Sequence, residues 1–240
     1  IGGRSLFILE TNSLSLQTTS YDTYEVFSES FLKGLGILNE ALRLDFVARI
    51  GLRYIDAVQP ADGETLRDFL VPEVLGLATR IDGTLQHSLS ESVLSTGAGQ
   101  LVSRVLIRHG QVGLPMELAG SAPAIDPRFT QREGLHAIID SDASINQREA
   151  FDLEKVRAQL MALHDEVAKA FKATITDHAW ASWAKGGTQG PQQCHTAAGL
   201  PSARLQPDRP PHWFALQDGW PPPAWHLPAS APEESCYLST

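Results

Sequence analysis

The chain is poor in cysteine, poor in basic charge and without long apolar runs, and each shortage excludes something. Its two cysteines, Cys194 and Cys236, sit in proline-rich text, too far apart for a metal knuckle or a dependable disulfide. No apolar stretch approaches the roughly 18 residues that span a bilayer, so no membrane partner is expected. Lys and Arg number 19 against 28 Asp and Glu, a net charge of −9. Coating nucleic acid takes clustered cations that displace counterions, so nucleic acid is not an expected partner either. Phosphate-binding glycine loops are missing too. Gly97-Ala98-Gly99 runs into a strand pattern rather than a helix start, and there is no G-x-S-x-G elbow. His164-Asp165-Glu166 lacks the second histidine of a zinc helix, since Ala168 stands in its place. The run from Asp140 through Asp142 and Ser144 to Asn146 begins like a calcium loop, yet Ile145 and Phe151 occupy the places of its Gly and Glu. That alternation fits the solvated face of a strand. Neither a metal nor a cofactor is expected.

What is present divides at Trp183. Residues 184–240 hold ten of the 15 prolines, both cysteines and three of the five tryptophans. They carry three basic and four acidic residues, so nearly all the negative charge belongs to 1–183. The expected organisation is one α+β domain over 1–183 and a proline-rich tail over 184–240. The tail has no periodicity and reads either as a disordered extension or as translation in a shifted reading frame. Residue 1 is Ile rather than Met, so the domain reads as N-terminally incomplete.

Within 1–183 the apolar spacing predicts strands at 5–10 and 13–19, the second half-buried. Asp22 and Glu25 form a capping box ahead of a helix whose face carries Phe27, Phe31, Leu35, Leu38 and Leu42. Gly34 and Gly36 weaken that helix by about 1 kcal/mol each relative to Ala. One long strand is expected over 45–58, with Arg49 and Arg53 on the face opposite Ile50, Leu52 and Tyr54. Gly51 marks a bulge or close approach in it. A loop with a short helical stretch near 64–70 leads to strands at 84–95 and 100–109, joined by a hairpin turn at 96–99. After a connector, 135–145 alternates again, and Asp152 caps a helix of about seven turns running from Leu153 to Ile175. The fold class is α+β: a largely antiparallel sheet with two long amphipathic helices, in the order ββα-β then βββ-α.

Two constellations could carry chemistry. Arg157 and His164 are seven residues apart, which puts a phosphate-holding guanidinium and a proton-moving imidazole on one helix face, as in small helical ribonucleases. Arg104 and His109, five residues apart, also fit the loose Arg-x(4–6)-His pattern of those enzymes but point to opposite faces of a strand. Arg49, Arg53, Arg104 and Arg108 would line one patch suited to phosphate or carboxylate if their strands were neighbours. Pairing with Asp and Glu of the same sheet is the plainer expectation for those arginines.

The runs LSLQTTSYDTYEVFSESF (14–31), ARIGLRYIDAV (48–58) and LHDEVAKAFKATITDHAW (163–180) resemble a sporadically distributed prokaryotic family of uncharacterised proteins. Arg49, Gly51, Arg53, Tyr54, His164, Asp165, Phe171, Thr176 and Asp177 match its motifs. The resemblance implies a compact, cytoplasmic prokaryotic protein and transfers no residue role, activity or cofactor. The functional expectation is a non-enzymatic interaction or regulatory module with a protein partner or a second copy, the 45–58 strand being the candidate edge. The alternatives are a nucleic-acid-processing enzyme using Arg157 and His164, and a binder of anionic ligands through the four strand arginines.

Overall fold

In the computed structural model the described residues are 3–114, 118 and 123–185. The expected tail therefore lies outside them, apart from the end of the last helix.

The order is β1 (Ser5–Leu9), β2 (Leu14–Thr18), α1 (Tyr24–Leu42), β3 (Phe46–Val47), β4 (Ile50–Val58), α2 (Leu66–Phe69) and α3 (Pro72–Leu75). It continues with β5 (His87–Ser95), β6 (Gln100–Gln111), α4 (Pro127–Thr130), β7 (Glu133–Ile145), β8 (Glu149–Ala150), α5 (Leu153–Thr174) and α6 (Asp177–Lys185). The fold is α+β with antiparallel pairing throughout, and its main sheet runs β4-β7-β6-β5. β1 pairs with β2, and β3 with β8, in two small separate sheets.

Local chemistry explains most element ends and corrects some expected ones. Thr23, not Asp22, caps α1, its hydroxyl accepting from Val26 N–H at 3.4 Å. Asp152 caps α5 as expected, its Oδ1 accepting from Glu154 and Lys155 N–H at 2.9 and 3.2 Å. α5 ends at Thr174, next to its expected end at Ile175, and the further helix α6 follows it. Ile175 leaves α5 to bridge Leu70, and the Thr176 hydroxyl accepts from Ala179 N–H to start α6. The 45–58 strand is also interrupted, with β3 turning to β8 and β4 to β7. Gly51 carries no bulge, because the β4–β7 register runs unbroken from Ile50↔Ile145 to Val58↔Ala137.

Two glycines are needed for close approach. A Cβ on Gly34 would lie 2.7 Å from the Phe7 ring, so the residue that weakens α1 is what lets β1 lie against it. A Cβ on Gly99, at the β5–β6 turn, would lie 2.3 Å from the Ser144 carbonyl oxygen.

Both faces of the sheet are used. On one face α1 and α5 bury Phe27, Phe31, Leu35, Leu160 and Leu163 with Ile50, Leu52 and Leu101. The far end of that face meets α2, α3 and α6 through Phe69, Leu70, Ile175 and Ala179. On the opposite face Ile55 and Ile138 pack under Val112, Leu118 and Phe129 of the 112–130 connector. The solvated face expected for 135–145 is corrected as well: His136, Asp140 and Ser144 are all buried. β2, expected half-buried, is buried along its whole length.

Candidate functional site

The sheet order separates β4 from β6 by β7 and so decides what the four arginines can do. Facing residues share a side of an antiparallel sheet. Arg53 faces Asp142, Arg104 faces Asp140 and Glu91, and Arg108 faces His136, so these three arginines do share one face. Two acidic positions of β7 stand between them. Arg53 Nε and Nη2 donate to the two oxygens of Asp140, each at 2.7 Å, with both side chains 7% exposed. Arg104 donates from Nη1 to Asp140 at 3.5 Å and from Nε to Glu91 at 2.5 Å. The result is an alternating row, Arg53–Asp140–Arg104–Glu91, that crosses all four strands. Burial raises the Asp142 carboxyl above its usual range, while Arg49 and Arg53 pull it back down. Arg108 Nε lies 3.5 Å from His136 Nε2, and His136 Nδ1 lies 3.2 Å from the Gly134 carbonyl. Desolvation lowers the His136 pKa, and the Arg108 charge adds to that shift.

The helical pair is drawn into different environments. Arg157 pairs with Glu29 of α1 and with Glu154, 3.5 Å away on its own helix. His164 instead joins an aromatic group. Its ring stacks on Tyr24 with centroids 4.1 Å apart, and its Nδ1 lies 3.3 Å from the Tyr54 hydroxyl. That hydroxyl lies 3.1 Å from the Tyr21 hydroxyl. Burial keeps these phenols protonated: Tyr54 and Tyr21 are raised, and Tyr24 is pushed up to about 12. Burial also lowers the His164 pKa, against the opposing charges of Asp165 and Glu25. Tyr21 in turn lines an open groove of about 310 Å³ between β1, β2 and the start of α1, along with Phe7, Leu16, Val26 and Phe27. Arg104 and His109 fall on opposite sheet faces, as their spacing requires.

The third feature is an edge. β4 and β5 both terminate the main sheet. β4 is buried at every position but Ala57, which is half-buried. β5 is exposed or half-exposed throughout, with Leu89, Val93 and Leu94 at 50%, 59% and 48% exposure. Beside it runs the tight turn Gly76–Thr79, where Leu77 is 70% exposed.

Among the described residues no three His, Cys, Asp or Glu side chains converge on a point that could hold a metal. No helix among them is long and apolar enough to cross a membrane.

The tyrosine partners of His164 and the exposed β5 edge were not among the sequence candidates. Tyr24, at the start of the Phe27–Phe31 stripe, carried the one available signal of the first.

Taken together, these features define a class: an antiparallel α+β chain with a charge-paired sheet face and one open sheet edge. Comparison with protein-family models, with curated proteins and with solved structures finds no match.

Proposed function

We propose that this chain is a non-enzymatic interaction module of a prokaryotic cytoplasm, a partner or regulator that engages another protein chain through the β5 edge. The observation that carries this reading is the contrast between a nine-residue edge bearing exposed Leu89, Val93 and Leu94 and an opposite edge that is buried. An edge strand presents a row of unpaired backbone groups to any extended segment that reaches it, and native sheets usually cover or charge such edges. Here Glu91 is the sole formal charge on the strand, and Arg104 already pairs with it. The same pairing weighs against the anion-binding alternative, since Asp140 and Glu91 answer Arg53 and Arg104.

The competing enzymatic reading keeps one favourable observation: His164 Nε2 has no hydrogen-bond partner among the described residues. The test compares two variants of the tagged full chain in its native host. Changing Leu89 and Val93 together to Lys removes the captured partner, whereas His164→Ala keeps it. RNA cleavage by the purified chain, lost in His164→Ala, would overturn the interaction reading in favour of the enzyme.

A further inference from the structure

We infer that β5 pairs with β5 of a second copy of this chain, antiparallel and centred on Leu89. This rests on the reading of the edge as the interaction surface and names its occupant. The β5–β6 hairpin closes with Thr96 N–H donating to the Gly99 carbonyl at 2.7 Å, and its register is unbroken from Ser95↔Gln100 to His87↔Arg108. Hydrogen-bonded and non-hydrogen-bonded pairs alternate along an antiparallel ladder. Even-numbered residues of β5 therefore bond to β6, and the odd-numbered ones, 87 to 95, direct N–H and C=O away from the sheet. Among the described residues these outward groups have no backbone partner.

The side chains then select an occupant. The segment His87-Ser88-Leu89-Ser90-Glu91 is complementary to its own reverse. Centred on Leu89, Leu89 faces Leu89, Ser88 faces Ser90, and His87 faces Glu91 twice, an imidazole N–H opposite a carboxylate each time. Glu91 can accept both bonds, because Arg104 occupies only its Oε2. The neighbouring registers are worse. Centring on Glu91 sets two carboxylates face to face, centring on Ser90 sets Leu89 against Glu91, and centring on Ser92 sets Glu91 against Val93. Centring on Val93 carries Leu89 onto Gly97 in the turn.

The experiment uses the full chain with Cys194→Ser and Cys236→Ser. In the proposed register the two copies of residue 89 form a directly opposed pair, with Cα atoms about 5.5 Å apart, within disulfide reach. Leu89→Cys should cross-link to itself on mild oxidation, and Ser95→Cys should not. The unsubstituted chain should sediment as a dimer. Leu89→Pro, which deletes an outward N–H and spares the β6 ladder, should weaken that dimer on the order of 10- to 100-fold. A monomer at every concentration, or cross-linking through Val93→Cys but not Leu89→Cys, would overturn the proposal. A monomer whose Leu89→Pro variant still loses a captured partner sinks the self-pairing and leaves the edge reading standing.

Discussion

One sheet ends in two strands that meet opposite fates. β4 carries Arg53, Tyr54 and Asp56 in its middle and is buried; β5 carries Leu89, Val93 and Leu94 and is exposed. Hydrophobicity accounts for the direction of the difference but not for the Arg53, Tyr54 and Asp56 side chains inside β4. The difference lies in what the neighbours supply. β4 lies beside β7, whose Asp140 satisfies Arg53 with two hydrogen bonds, and beneath α5, whose His164 meets the Tyr54 hydroxyl. β5 has β6 on one side and, among the described residues, no strand on the other. A strand can carry polar groups into the interior when each has a partner, whereas apolar side chains on a strand that nothing covers stay exposed.

The largest effect that would sharpen this contrast is at the interior ion pair. Arg53→Ala leaves Asp140 buried without its bidentate partner, and such a loss costs about 3–5 kcal/mol. Glu91→Ala at the open end of the same row removes a pair whose side chains are 33% and 44% exposed, and there the cost is about 0–1 kcal/mol. Urea denaturation of both variants measures the gap. Equal losses would mean that the two edges are not energetically distinct. Replacing Arg53 and Asp140 together with Met and Leu should recover most of the single-variant loss, because no buried charge is then stranded.

A second, smaller effect separates the edges by pH. The His164 pKa is lowered from its ordinary 6.5 by burial, so in the folded chain the ring stays neutral to lower pH than in the unfolded chain. As pH falls through 6.5 the unfolded state takes up the proton first, and stability is lost until the folded pKa is passed. His136, lowered the same way, adds a loss of the same sign. Denaturation midpoints taken from about pH 8 to about pH 5 should therefore fall less steeply in His164→Gln than in the parent chain. An unchanged slope would remove His164 from the coupling between α5 and β4.

Element order was legible because it depends on local period: the β5–β6 hairpin, the α1 stripe and the Asp152 cap stand where apolar spacing and capping chemistry put them. What was not legible depends on strand order. Arg53 and Asp140 are 87 residues apart, and nothing local says that β7 lies between β4 and β6. The four arginines could thus be placed on a common face without the carboxylates that neutralise them. The alternation of 135–145 was visible, but its reading as a solvated face failed because Val112, Leu118 and Phe129 pack over Ile138 and Arg53 takes up Asp140. The end of α5 was legible to within a residue, but α6 beyond it was not, since the strand-like backbone at Ile175 bridges Leu70, far back in the chain.

The smallest effect is also the most direct test of the open edge. Leu89 is 50% exposed and belongs to none of the three buried clusters. Leu89→Lys should then change monomer stability by no more than about 0.5 kcal/mol, whereas Leu52→Ala on β4 should cost about 2–5 kcal/mol. Any association through β5 would add concentration-dependent stability to the parent chain, so the comparison belongs at high dilution, where mass action is weak. Measured there, a loss above about 1 kcal/mol for Leu89→Lys would show that β5 is covered within a single chain. The two edges would then be alike, and the interaction surface would have to be sought elsewhere. A loss that is negligible at dilution and grows with protein concentration would separate a strand that holds the fold together from one that holds chains together.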